Sequence, residues 1–279
     1  MGQPKLFSII DKAVYDYKLI ENGDRILVGF SGGKDSAALT EYFAYRKRQG
    51  RENFDFCALH VESGIGSSVL PELRSLLRSW NTELVSLNAD VLARLKPGKT
   101  MNCWWCSTQR RTELNNYAME HGYNKIALGH HLDDILETLL MNALYKGELS
   151  TMPPRLKYDK YPVTIIRPLC FADEQTIIDH ARRSGYKSIT CTCDYQNNSA
   201  RKEARKKLEA LTGSDTAQKR KLFESLKNIK TAYLPLTVPG GCQKPQFSAK
   251  SRYENPILFS KAALCPYMAG SRYDVKLIK

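Results

Sequence analysis

The chain has 279 residues, of which 42% are hydrophobic and 25% charged. That is too much apolar material for a mainly disordered chain, and at roughly 100–200 residues per domain the length excludes a long multidomain array. Forty-two Lys and Arg against 29 Asp and Glu leave a formal charge of +13, which favours a polyanionic partner such as nucleic acid over an acidic protein surface.

The start, MGQPKLFSIIDKAVYDYK, is charged before a signal-peptide core could form, and no apolar run reaches the ~18–20 residues of a bilayer span. A cytoplasmic protein with no membrane partner is expected. Gly2 is followed at position six by Leu6, where a myristoylation signal needs Ser or Thr. Eight cysteines without an export signal read as reduced thiols, so their spacing carries the information.

Residues 6–20 place Ile10, Ala13, Val14 and Tyr17 at helical spacing, and Ile26 to Phe30 reads as a buried strand. After Ser31-Gly32-Gly33, the stretch Ala37 to Arg48 puts Leu39, Tyr42 and Phe43 on one helical face. Phe54 to Val61 and Glu83 to Leu87 are two further strands. Ile126 to Gly129 and Val163 to Arg167 supply two short apolar runs beside periodic helices. The best defined of these helices carries Leu132, Ile135, Leu136, Leu139, Leu140, Ala143 and Leu144 in one stripe. Strands alternating with helices through about residue 185 form the α/β pattern. From Arg201 to Lys230 ten basic residues face four acidic ones, and beyond Lys230 the periodicity fades into Pro, Gly, Tyr and Ser. Residues 1–230 therefore read as one domain and 231–279 as an irregular C-terminal extension.

Ser31-Gly32-Gly33-Lys34-Asp35-Ser36 lies between a hydrophobic strand and an amphipathic helix. Paired glycines let the backbone bend and turn its N–H groups toward an anion, and the helix start adds a positive end. Lys34 is placed to neutralise phosphate, Ser31 and Ser36 to donate hydroxyl hydrogen bonds, and Asp35 to hold Mg²⁺ or orient the loop. The spacing is not that of a Walker A site. A ligand-free glycine-rich connection would leave Lys34, Asp35 and both serines without a role.

This SGGKDS turn resembles the signature of the PP-loop ATP pyrophosphatases, which cleave ATP to AMP and pyrophosphate while adenylating a carbonyl-type oxygen. The resemblance implies a doubly wound parallel sheet of the adenine nucleotide alpha hydrolase-like type, with pyrophosphate on Ser31 to Ser36 at the carboxyl ends of the strands. His60, at the end of the second strand, would then lie near adenosine.

Cys103-Trp104-Trp105-Cys106 has Cys-x-x-Cys spacing, which lets two thiolates converge on a metal or on each other. Half a zinc site, a redox pair and coincidence all fit the pair alone. Trp104 and Trp105 either shield such a site from water or pack in the core. Cys57 and Cys170 fall in or beside strands and read as buried, inert thiols. Gly129-His130-His131-Leu132-Asp133-Asp134 joins a strand to the well-marked helix, beside the ligand edge of the sheet. Either aspartate could cap that helix, and either histidine could be structural.

The ordered set CWWCSTQRR, ALGHHLDDILETLLMNALYKGELSTMPPRL and IIRPL is similar to the tRNA 2-thiocytidine synthetase (TtcA-type) subgroup over roughly residues 5–210. That similarity implies a 4Fe–4S cluster held by Cys103, Cys106 and one later cysteine, by motif position Cys191, with Cys193 as the alternative. An iron left free by three thiolates suits sulfur transfer. The implied reaction is ATP-dependent tRNA thiolation. ATP, with Mg²⁺, adenylates the C2 oxygen of cytidine 32, and cluster-borne sulfide then attacks C2. Lys34, Asp35 and Asp134 are the implied catalytic residues, and Ser31, Gly32, Gly33, Lys34, Asp35, Ser36, His60 and Gly129 the implied ATP contacts. The partners would be tRNA and a sulfur donor such as a cysteine desulfurase. Arg201 to Lys230, with Arg110, Arg111, Arg155, Lys157 and Lys160, could follow an RNA backbone. Residues 231–279 depart from the family pattern; capping the fold, homodimer formation and tRNA contact are open to them. Two other readings are a PP-loop enzyme that modifies another tRNA base or amidates a carboxylate, and a zinc-stabilised RNA-binding module with a vestigial turn.

Overall fold

A computed structural model describes residues 2–64, 69–96, 98–159, 161–186 and 199–235. Cys191, Cys193, Cys242, Cys265, Lys160 and most of the extension lie outside the described residues. Within the described part of residues 1–228, the elements run α1 (Lys5–Tyr17), β1 (Arg25–Gly29), α2 (Lys34–Gln49), β2 (Asp55–Glu62), α3 (Pro71–Ser79), β3 (Leu84–Asn88), α4 (Cys103–Glu120), β4 (Lys125–Ala127), α5 (Leu132–Lys146), β5 (Arg155–Lys157), β6 (Thr164–Ile166), α6 (Glu174–Arg183), α7 (Ser199–Thr212) and α8 (Thr216–Ser225). Among the described residues, no helix is long and apolar enough to cross a membrane.

The strands form one six-stranded sheet in the order β3-β2-β1-β4-β6-β5. All neighbours are parallel except the edge pair β5 and β6, which is antiparallel, with Leu156 opposite Ile165. The sequence expectation of a parallel doubly wound sheet thus holds for five strands. The sixth, β5, has only three residues, Arg-Leu-Lys, exposed on both sides of Leu156, so it shows too little alternation to be read locally.

Alternation within the strands sorts the core into two layers. Ile26, Val28, Ala58, Ala127 and Ile166 face a layer built with α1, α2, α3, α5, α6, α7 and α8. Leu27, Cys57, Leu59, Ile126 and Ile165 face the other side, where Leu114 and Ala118 of α4 cover them. Full burial of a Leu or Ile side chain contributes about 1.5–3 kcal/mol, so this period-2 division sets the register of every strand.

The two edges of the sheet differ in chemistry. At the amino edge, the buried ammonium of Lys125 meets Asp24 at 2.6 Å and Glu21 at 2.9 Å, and Asn124 Nδ2 donates to Asp24 at 2.9 Å. The carboxyl edge carries the loops of the site. The chain runs outward through β1, β2 and β3, then returns to lay β4 against the other side of β1, which makes the β1/β4 boundary the topological switch point. A crevice at that boundary is where open α/β sheets bind ligands.

Candidate active site

The turn after β1 is held by its own side chains. Gly32 has φ +81°, a left-handed conformation that glycine adopts without strain. Ser36 Oγ donates to the Gly33 carbonyl at 2.9 Å and accepts from the Ser31 N–H at 3.2 Å, while Ser31 Oγ accepts from the Gly33 N–H at 3.3 Å. Gly33 is the N-cap of α2, and no side chain caps it, which leaves the first-turn N–H groups available to an anion.

Gly129 lies against this helix start. A Cβ there would stand 3.2 Å from the Ser36 nitrogen and 3.3 Å from the Asp35 carbonyl carbon, so glycine lets the loop and the helix start approach without either giving way. The β4 loop and the turn after β1 thereby share one crevice, and the sequence-predicted residues Ser31 to Ser36, Gly129 and Asp134 come together there. His60 also reaches this edge, but its Nδ1–H donates to the Phe30 carbonyl at 2.8 Å. Burial lowers its pKa, so the ring is neutral and ties β2 to the start of the turn. This bond fixes the His60 ring through Nδ1 at the end of β2, on the sheet edge where the sequence placed it.

Asp133 and Asp134 have separate tasks. Asp133 Oδ1 pairs with Lys219 of α8 at 2.6 Å, and Oδ2 accepts the Glu174 N–H at 2.8 Å, so this carboxylate joins three helices. Asp134 Oδ2 accepts the His131 N–H at 3.1 Å, and its Oδ1 lies 3.6 Å from Arg201. Burial alone would raise the Asp134 pKa, but His131, His130 and Arg201 outweigh it and keep the carboxylate ionised.

A chain of charges encloses the crevice. Lys34 Nζ contacts Asp35 at 3.2 Å and Glu174 at 3.0 Å. Glu174 lies 3.6 Å from Arg205, which donates from Nε to the fully buried Glu137 at 2.7 Å. Burial opposes the Lys34 ammonium, yet Asp35 and Glu174 outweigh that effect and raise its pKa. At Asp35 burial wins over His131 and Lys34, so its pKa also rises, and its Oδ1 has no hydrogen bond. Burial likewise raises Glu137.

Of the basic residues that the sequence offers to RNA, Lys219 is buried against Asp133, while the half-exposed Arg201 and Arg205 pair with Asp134 and Glu137. Periodicity marks which residues share a helical face but not what that face meets. Glu137 and Glu174, and the pairing of Arg205 with them, were missed by sequence reasoning, since the partners stand 68 and 140 residues apart in the Glu137–Arg205 and Lys34–Glu174 contacts. Arg155 is also engaged, donating to the Lys18 carbonyl at 3.0 Å and to Glu21 at 3.1 Å.

Cys103 and Cys106 occupy the first turn of α4, where Asn102 Oδ1 caps the Trp105 N–H at 2.9 Å. Leu114 of the same helix packs beside Gly29 at the end of β1. Because α4 leads from the end of β3 to the start of β4 in the parallel part of the sheet, its amino-terminal turn, with Cys103 and Cys106, falls on the side of the strands' carboxyl ends. Both thiols are half-buried. Residues i and i+3 share one helical face, so the donor set suits two thiolates on one iron–sulfur cluster. Among the described residues no third Cys, His, Asp or Glu completes a metal-ligating group. Trp104 is 69% exposed, which removes core packing from the two roles open to it, whereas Trp105 is anchored by Nε1–H to the Val91 carbonyl at 3.2 Å. Cys57 and Cys170 are buried as expected, and burial pushes the Cys170 thiol up to about 12.

Residues 7–211 match the PP-loop domain family. The tRNA-cytidine(32) 2-sulfurtransferase of Geobacter metallireducens is 34% identical over 82% of this chain and 91% of its own, and that of Anaeromyxobacter dehalogenans 36% identical over 82% and 81%. The chain belongs to the PP-loop family, among the tRNA-cytidine(32) 2-sulfurtransferases. The same fold is seen in the U34-tRNA thiolase NcsA from Methanococcus maripaludis, solved with its 4Fe–4S cluster, at a TM-score of 0.66 and 23% identity over 80% of this chain and 77% of that one.

Proposed function

We propose that this chain is an ATP-dependent tRNA sulfurtransferase that replaces the C2 oxygen of cytidine 32 with sulfur. One observation carries the reading: the anion-binding turn, the Asp134 loop and the Cys103/Cys106 helix start all face the carboxyl edge of one sheet. Membership of the sulfurtransferase family supports it.

In this reading the uncapped N–H groups of α2 and the hydroxyls of Ser31 and Ser36 hold the pyrophosphate of ATP. Lys34 neutralises its charge, and Asp35 supplies a carboxylate oxygen to Mg²⁺, which commonly takes one or two carboxylates plus phosphate oxygens and water. Asp134, ionised and fixed by the His131 N–H, orients the reacting groups beside Lys34. The C2 oxygen of cytidine attacks the α-phosphorus and pyrophosphate leaves; sulfur then adds at C2 and the oxygen departs with AMP. The C2–O bond is thereby exchanged for C2–S with one ATP split.

Cys103 and Cys106 would hold a 4Fe–4S cluster together with Cys191, or Cys193 in its place. The cluster, when bound, supplies the iron that delivers sulfur. A cysteine desulfurase is the proposed sulfur source, cytoplasm the location, and a homodimer the assembly open to residues 231–279, which we treat as an extension to a domain of residues 1–230.

Anaerobic purification with simultaneous iron, sulfide and zinc determination, followed by mass spectrometry of tRNA nucleosides, tests the reading. Iron and sulfide near four per chain and 2-thiocytidine dependent on ATP are expected. Stoichiometric zinc without iron, and no ATP cleavage, would overturn it.

A further inference from the structure

Arg167, at the carboxyl end of β6, has only 7% of its surface exposed. Its Nη1 donates to the Pro153 carbonyl at 2.6 Å, while its Nε is buried with no hydrogen-bond partner. No carboxylate of the described residues stands in ion-pair contact with it. Burying a guanidinium without an anion is costly, and a retained unpaired charge calls for a partner that arrives with a ligand.

Besides burial, the groups that act on Arg167 are Tyr158, Arg111 and Cys170, none of them a carboxylate. His130, next strand over on the β4 loop, also carries a buried Nδ1 with no partner. Burial first, and Arg167 second, lower its pKa to about 4, so the ring presents as a neutral hydrogen-bonding group. Arg111 of α4 is close enough to weaken the Arg167 proton, alongside burial. Arg111 is exposed, and its Nε donates only to the Ser107 carbonyl of its own helix at 3.2 Å. Along α4, positions 103, 107 and 111 follow one another at i+4, so Arg111 lies about two turns, ~12 Å, along the helix from Cys103 and about 80° around it.

We propose that Arg167, Arg111 and His130 form a phosphodiester clamp that grips the RNA backbone beside the target nucleotide. The site stands on the β4–β6 side of the crevice, whereas the Ser31–Ser36 turn lies between β1 and α2. A phosphate gripped there sets the neighbouring base between Asp134, four residues along from His130, and the helix turns leading to Cys103. An open surface arginine leading to a buried one matches a polyanion that enters from solvent, and it suits RNA better than ATP, whose phosphates already have the glycine turn. This inference rests on the proposed tRNA substrate.

The test is tRNA affinity of the full chain measured across a salt series, with ATP affinity measured separately without tRNA. Arg167→Met is expected to weaken tRNA binding about tenfold and to reduce the slope of log K against log salt by about 1, with ATP affinity unchanged. Arg167→Lys, which retains the charge, is expected to recover the slope. Should Arg167→Met fail to fold, Arg111→Gln on the exposed helix face is expected to lower the slope by the same amount. A slope unchanged in the folded variants overturns the clamp, and so does a loss confined to ATP affinity. A wild type that binds RNA with the expected slope but makes no 2-thiocytidine removes the thiolation reading and leaves the clamp standing.

Discussion

Gly129→Ala isolates the contact between the β4 loop and the phosphate-binding turn. The φ of Gly129 is not in the left-handed region, so alanine meets no backbone strain and only packing is altered. The new Cβ would sit 3.2 Å from the Ser36 nitrogen and 3.3 Å from the Asp35 carbonyl carbon. Both are backbone atoms of a helix start, so the helix or the loop must shift by a few tenths of an ångström. Overpacking of this kind costs about 1–3 kcal/mol of stability. A displaced N–H cradle also weakens charge-assisted hydrogen bonds of about 1.5–3 kcal/mol each, and losing about half of one lowers ATP affinity roughly fourfold to twelvefold. Gly29→Ala is the control. Its Cβ would meet Leu128 Cδ2 at 3.1 Å and Leu114 Cδ1 at 3.4 Å, side-chain ends that rotate away. Isothermal titration with a non-hydrolysable ATP analogue, paired with thermal melts, is the assay. Gly129→Ala should lose affinity and Gly29→Ala only a little stability. Equal ATP affinity in Gly129→Ala and wild type, with the expected fall in Tm, refutes the role of the close approach.

Asp133→Asn should destabilise the fold by about 3–5 kcal/mol, because Lys219 is left buried without its partner, yet thiolation per folded molecule should persist; Asp134→Asn should do the reverse, and denaturant melts with a thiolation assay separate the two. His130 has a folded pKa near 4 against an ordinary 6.5. The unfolded chain therefore takes up the proton first, and stability falls as pH drops below about 6.5 and levels off below 4, with about 2 kcal/mol lost between pH 7 and 5. His130→Gln should flatten that limb in urea titrations, and an unchanged slope would show that other groups govern acid unfolding. Cys103→Ser should abolish thiolation and lower bound iron while ATP still binds, measured by iron assay and titration; retained iron at wild-type stoichiometry would remove Cys103 from the ligand set.

Much of this protein is written in short-range pattern. The alternation of buried strands with periodic helices, the glycine turn between β1 and α2 and the Cys-x-x-Cys at a helix start depend on residues within one or two turns of each other, and the chain alone determines them. The edge strand β5 and the short α3 escaped because three and nine residues show too little periodicity against their surroundings. The site was legible in its parts but not in its wiring. Asp133 and Asp134 are neighbours in sequence, yet about 100° of helix rotation sends one to Lys219 and the other into the crevice. Arg201 and Arg205 belong to a basic stretch that composition assigns to solvent, and tertiary packing turns them onto Glu137 and Asp134. Arg167 follows an ordinary apolar strand; only the fold leaves it buried without a carboxylate. Local propensity acts over a few residues, whereas charge pairing and desolvation act across the 68 to 140 positions that separate Glu137 from Arg205 and Lys34 from Glu174, so the three-dimensional arrangement had to decide them.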